Sequence, residues 1–180
     1  MVFSKHRIKN FEFSLLNFEF NVLHFEFLKM ITIYTDGSSR GNPGPGGYGV
    51  VLIFGNHRKE LSQGYRLTTN NRMELLAVIA GLEALKTNAI PVVVYSDSKY
   101  VVDAIEKGWL NKWIKTHFAG GKKNPDLWKR YYNLSRQFNI SFRWVKGHAD
   151  NPYNNLCDEL ATMAADSNQL LVDEGYESGV

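Results

Sequence analysis

Residues 31–49 read ITIYTDGSSRGNPGPGGYG. Apolar and polar side chains alternate from Ile31 to Asp36, the period of a half-buried strand. The run then stops on an acid and enters a stretch with glycines at 37, 41, 44, 46 and 47 and prolines at 43 and 45. Such a stretch predicts a sharp turn whose backbone can approach a ligand without Cβ obstruction. A glycine-rich turn with no ligand is the plainer alternative.

Working outward, GYGVVLIF (47–54) and ELSQGYRL (60–67) predict two more strands joined by a polar turn at Gly55, Asn56 and His57. Three strands in quick succession suggest an antiparallel meander. Asn70 and Asn71 precede MELLAVIAGLEALK (73–86), whose apolar residues recur at helical intervals until Asn88 and Pro91. PVVVYS (91–96) reads as a short buried strand, and DSKYVVDAIEKG as a helix stopped by Gly108. PDLWKRYYNLSRQF (125–138) reads as a further helix and ISFRWV (140–145) as the last strand. Pro152 opens a final helix through about Asn168. The order predicts an α/β fold with a five-stranded mixed sheet, a meander plus parallel strands, flanked by helices.

A chain of 180 residues, 44% apolar, suits one globular domain. Its one cysteine, Cys157, forms no internal disulfide, and a reducing cytoplasm fits. Glu12, Glu19 and Glu26 interrupt the Phe-rich beginning, so neither a membrane span nor a signal-peptide core is expected. Net charge is only +3, but it is unevenly spread. Residues 99–146 hold 11 Lys or Arg against three acids, whereas 147–180 hold seven acids and no Lys or Arg. Within the basic block, Trp109, Trp113 and Phe118 sit among Lys107, Lys112, Lys115, Lys122 and Lys123. Cations mixed with aromatics suit phosphates plus sugar or base faces. A solvated face, or a core stripe of Trp109 and Trp113 four apart on a helix, is the structural alternative.

Four acids occupy element ends: Asp36 after the first strand, Asp97 after the fourth, Glu74 in the first turn of the first long helix, and Asp158 early in the last. Each has a structural reading. Asp36 suits an Asx-turn, Asp97 an N-cap, Glu74 a capping box opened by Asn71, and Asp158 a helix N-terminus. Together they read differently, because ligands of open α/β sheets bind beyond the carboxyl ends of the strands. Carboxylates crowded there repel unless a cation neutralises them, and all-oxygen ligation selects a hard ion such as Mg²⁺.

The stretches TDGSSRGNPGPGGYG, TTNNRMELLA, YSDSKYV, DLWKR and WVKGHADNPYNNLCDELA, in this order and spacing, resemble bacterial-type ribonuclease H, type 1, from about Met30 to Tyr176. The resemblance implies the ribonuclease H-like fold and a metal-dependent endonuclease that hydrolyses the RNA strand of RNA·DNA hybrids, leaving 5′-phosphate and 3′-hydroxyl ends. It implies two Mg²⁺ ions, with Mn²⁺ as a substitute, held by Asp36, Glu74, Asp97 and Asp158. His148, on a loop, would assist proton movement or product release. Asn42, Thr69 and Asn70 would hold a phosphate of the DNA strand, and Asn71 would lie against bases in the minor groove. Trp109, Lys112, Trp113, Lys115, Lys122 and Lys123 would form the family's protruding handle, here a few residues shorter. A monomer is expected, with the hybrid duplex as its partner. A catalytically silent hybrid-binding module and a nuclease acting on DNA are the competing classes.

The beginning departs from the family. NFEFSLL, NFEFNVL and HFEFLKM repeat every seven residues without a strand or helix period. Residues 1–29 are therefore expected to be an extension, disordered or the product of a start site placed upstream of Met30, and 30–180 the catalytic domain.

Overall fold

The computed structural model describes residues 30–147 and 151–179, so the expectations for residues 1–29 and for His148 lie outside the described residues. Strands β1 (Ile31–Ser39), β2 (Gly44–Phe54), β3 (His57–Thr68), β4 (Val92–Ser96) and β5 (Ile140–Trp144) form one sheet in the order β3-β2-β1-β4-β5. β1 pairs antiparallel with β2, and β2 with β3. β4 pairs parallel with β1 on one side and β5 on the other. This is the mixed sheet that the residue pattern predicts. Around it lie α1 (Asn70–Glu83), α2 (Lys99–Glu106), α3 (Trp109–Lys115), α4 (Pro125–Ser135), α5 (Pro152–Ala165) and the short α6 (Glu174–Glu177). No described helix is long and apolar enough to cross a membrane.

Both faces of the sheet are covered because successive strand side chains point to opposite sides. Ile33 and Val50 enter the larger core with Val94, Met73 and Ala77 of α1, and Trp128 of α4. Their neighbours Tyr34 and Val51 turn the other way, onto Cys157 of α5. These two layers hold the helix that carries Glu74 and the helix that carries Asp158 on either side of β1.

The glycine-rich stretch is not the long turn that the sequence leads one to expect. β1 and β2 stay paired from Thr32↔Ile53 to Ser39↔Gly46, so the bend shrinks to residues 40–43, with Gly41 at φ 103°. Strand glycines instead let a helix lie directly on strand backbone. A Cβ on Gly47 would meet the Ala161 carbonyl oxygen at 2.6 Å, and one on Gly49 would meet Leu160 Cβ at 2.8 Å. Composition alone does not separate helix packing from ligand approach, since both demand the missing Cβ.

Two elements carry no strong sequence signal. α3 occupies the basic segment, and the C-terminal tail lies along β3, where Arg66 N–H donates to the Leu171 carbonyl and Leu171 N–H to that of Gly64, each at 2.9 Å.

Candidate active site

Three acids converge at the carboxyl ends of the central strands. Asp36 is supplied by β1, Asp97 by the residue after the adjacent β4, and Glu74 by α1. One carboxylate oxygen from each lies within 4.8 Å of the others. Asp36 and Glu74 are each only 7% exposed. The structural readings of three acids fail. α1 begins at Asn70 with Thr69 as N-cap, so Glu74 lies past the first turn and Asn71 opens no capping box. Ser98, not Asp97, caps α2, and α5 has no acid in its first turn, which leaves Asp158 further along.

The electrostatics of the cluster are unfavourable without a cation. Burial, followed by the charge of Asp97, pushes the Asp36 carboxyl up to about 8; the Gly37 N–H opposes this and Asp158 adds to it. Burial and then the charges of Asp36 and Asp97 hold Glu74 well above the usual carboxylate range. Among the described residues, Glu74 Oε2 and Asp97 Oδ1 are buried with no hydrogen-bond partner. Orphaned carboxylate oxygens in such a cluster fit a hard divalent ion, which would accept their lone pairs and cancel the repulsion between the acids.

One oxygen of each carboxylate is tied down. Gly37 N–H donates to Asp36 Oδ1 at 2.7 Å, Asn70 Nδ2 to Glu74 Oε1 at 3.3 Å, and Asn154 Nδ2 to Asp97 Oδ2 at 3.3 Å. Sequence reasoning missed Asn154. Its signal was available, since it stands four residues before Asp158 and so shares a helix face with it. Trp144 was missed as well: its indole N–H donates to the Asp97 carbonyl at 3.0 Å.

The residues expected to meet nucleic acid fall in two places. Near the acids, Asn42 Oδ1 accepts the Asn70 backbone N–H at 3.2 Å, with Thr69 and the exposed Asn71 on either side of Asn70. Away from them, a cavity of about 590 Å³ is lined by Trp109, Lys112, Trp113, Thr116, Gly120 and Lys122. Trp109 is 44% exposed, while Trp113 is half-buried with its ring edge on Trp128 at 5.6 Å. Lys122 Nζ lies 5.8 Å from the Trp113 ring centre; Lys112, Lys115 and Lys123 are exposed. Phe118 is buried, so the grouping of this aromatic with the exposed basic surface is corrected: it fills the core beneath.

Residues 28–166 match the model of the RNase H family, and the chain belongs to that family. Ribonuclease H of Syntrophus aciditrophicus is 55% identical over 152 residues, covering 82% of this chain and 87% of its own. Ribonuclease H of Desulforamulus reducens is 57% identical over 150 residues, 81% of this chain and 94% of its own. Ribonuclease HI of a Synechocystis strain is 47% identical over 151 residues, covering 81% of this chain and 94% of its own, in keeping with the bacterial type 1 resemblance. Among solved structures, LC9-RNase H1, a type 1 RNase H with the type 2 active-site motif, superposes with TM-score 0.71 at 31% identity over 84% of this chain and 80% of its own. LC11-RNase H1, solved in complex with an RNA/DNA hybrid, gives TM-score 0.59 at 27% identity over 76% of this chain and 96% of its own.

Proposed function

We propose that this chain is an endonuclease that hydrolyses the RNA strand of RNA·DNA hybrids with two divalent ions, Mg²⁺ by preference, leaving 5′-phosphate and 3′-hydroxyl ends, and that residues 30–180 are its catalytic domain. The observation that carries the reading is the convergence of Asp36, Glu74 and Asp97, two of them with orphaned oxygens, in a chain of this family. Asp36, Glu74, Asp97 and Asp158 hold the ions. Held there, divalent ions would supply a lowered pKa for the attacking water and a countercharge for the departing 3′-oxygen.

The chain's own groups do the rest. Asn154 and the Gly37 N–H each hold one oxygen of Asp97 and Asp36, which fixes the orientation of both carboxylates and leaves Asp97 Oδ1 for an ion. Asn70 spans from the Asn42 side chain to Glu74, linking the turn that grips the DNA strand to an acid of the site. Thr69 joins Asn42 and Asn70 on that phosphate, and Asn71 lies in the minor groove, where the 2′-hydroxyls mark the RNA strand. Trp109 and Trp113 with Lys112, Lys115, Lys122 and Lys123 hold the DNA backbone further along. His148 moves a proton to or from the reacting oxygens.

Incubation with RNA·DNA, RNA·RNA and DNA·DNA duplexes, with and without Mg²⁺, tests the proposal. Only the hybrid's RNA strand is cut, and only with the ion. Equal cleavage of DNA·DNA, or full activity in excess chelator, would overturn it.

A further inference from the structure

Arg72 is the third residue of α1, two positions before Glu74, and it is 1% exposed. A buried guanidinium has five N–H donors to satisfy, and here all five have partners. Nε and Nη2 donate to Asp173 Oδ2 and Oδ1, each at 2.7 Å. Nη1 and Nη2 donate to Asp126 Oδ1 and Oδ2 at 2.9 and 2.7 Å, and Nη1 also reaches Asn124 Oδ1 at 3.4 Å. Asp173 accepts a further hydrogen bond from Thr68 Oγ1 at 2.6 Å. The Tyr176 ring lies 5.9 Å from the guanidinium carbon, and a side chain on Gly175 would collide with Asp126.

These partners come from distant parts of the chain. Asp126 opens α4, immediately after the basic segment that ends at Lys123, and Asp173 belongs to the tail along β3. Arg72 itself sits beside Asn70 and Asn71. One guanidinium thus joins the turn facing the hybrid, the far end of the basic segment and the tail. Two bidentate pairs on one planar fork fix orientation as well as distance.

We propose that Asp173 is a positioning residue for hybrid cleavage: through Arg72 it sets the N-terminal end of α1, with Asn70, Asn71 and Glu74, relative to the basic segment that enters α4. The proposal rests on the hybrid-cleaving reading above. A hybrid held at both places bridges a fixed span, so loss of the tie costs most for a substrate long enough to touch both. Misplacement by about 1 Å reduces rates by about 10²-fold.

The test compares the full chain with Asp173→Asn, Asp173→Glu and Glu177→Gln. Glu177 serves as the control because its carboxylate ties the same tail to Arg66 on β3, a different cation from the Arg72 that pairs with the Asp173 carboxylate. Below the unfolding temperature of every variant, Asp173→Asn raises KM for a long hybrid about 10-fold or more and lowers kcat, with a smaller loss on a hybrid too short to reach the lysines. Asp173→Glu recovers part of the loss, and Glu177→Gln leaves both constants unchanged. Amide hydrogen exchange of residues 70–74 and 126–128 speeds up together in Asp173→Asn, a readout that needs no catalysis. Should Asp173→Asn not fold, Thr68→Val, which loosens Asp173 while leaving its ion pair, shows the same KM rise in weaker form. Unchanged KM and kcat in the folded variants, or an equal loss in Glu177→Gln, overturns the positioning role. Failure of the unaltered chain to cut any hybrid overturns instead the reading on which it rests, while the exchange result still reports the tie.

Discussion

Asp36 and Asp97 stand one residue beyond a shared rung of the sheet, because Thr35 and Ser96 are partners in the parallel pairing of β1 with β4. The backbone therefore holds two carboxylates side by side whatever their repulsion. That repulsion, added to burial, gives the first prediction. In excess chelator Asp36→Asn melts at a higher temperature than the unaltered chain, since it removes a buried charge from the cluster. Added Mg²⁺ reverses the order by stabilising only the chain with all its acids. Thermal melts with and without Mg²⁺ decide; a lower melting temperature for Asp36→Asn in chelator counts against the crowding.

The glycines give a second prediction. A methyl group at Gly49 would push against the Cys157 carbonyl and Leu160 on α5. Backbone does not yield as a flexible side chain does, so Gly49→Ala destabilises by about 1–3 kcal/mol or more. It also lowers activity, because α5 carries Asn154 and Asp158. Urea titration reads the stability, and an unchanged midpoint would show that the helix shifts freely. Gly55→Ala, with nothing within 4 Å of its Cβ, is not expected to clash, although its φ of 55° is unfavourable for alanine.

Much of this was legible in the sequence. Strand alternation, helix period and turn residues place the five strands and the four long flanking helices; Asp97 follows β4 in both readings, whereas β1 runs three residues past Asp36, which lies just beyond the end of its pairing with β4. What stayed hidden is tertiary. Whether Gly47 and Gly49 face a ligand or a helix depends on where α5 lands, more than 100 residues further on in sequence. The tie between Arg72 and Asp173 spans 101 positions and leaves no periodic trace. Asn154 hid for another reason: an asparagine near a helix start is ordinarily a capping residue, and here Asn151 fills that role.

Acid stability follows from Asp126. Burial would raise its pKa, but the hydrogen bonds and charge of Arg72 outweigh that and hold it below the usual value. Arg72 and Asp173 face it, with Tyr100 nearby and Lys123 only three residues before it in sequence. A carboxyl depressed in the fold stabilises above its unfolded pKa of about 3.9, and that stability is lost as the pH falls below it through the folded value. Asp126→Ala is therefore less stable at pH 7, by about 1.5–3 kcal/mol for lost hydrogen bonds to a charged group, Arg72 keeping its pair with Asp173. It also loses less additional stability than the unaltered chain as the pH falls below about 4. Denaturant midpoints at pH 7, 4 and 3 check both; parallel pH curves would remove Arg72 as the cause.

The basic segment makes a prediction about salt. Lys112, Lys115, Lys122 and Lys123 are all exposed, and Lys112 and Lys122 line the tryptophan-lined cavity. Each phosphate contact contributes about 0.9 or less to the slope of log affinity against log salt. Replacing all four by Gln weakens hybrid binding and flattens that slope, while turnover at saturating hybrid survives. An unchanged slope assigns the lysines to a merely solvated face.

The final prediction orders the acids against the histidine. Asp36→Asn keeps the size of the side chain but removes a charge from a cluster in which Asp36, Glu74 and Asp97 converge within 4.8 Å. Divalent ions then bind poorly, the attacking water loses its activation, and cleavage falls by several orders of magnitude. His148→Ala costs less, because water or buffer substitutes for a proton carrier, and general acid–base groups typically contribute about 10²–10⁴-fold. Added imidazole restores part of the activity of His148→Ala and none of that of Asp36→Asn. Both variants are compared at one Mg²⁺ concentration and pH, with circular dichroism showing the fold intact. A histidine variant deader than the aspartate variant would make His148 a primary catalytic group and displace the metal-centred mechanism.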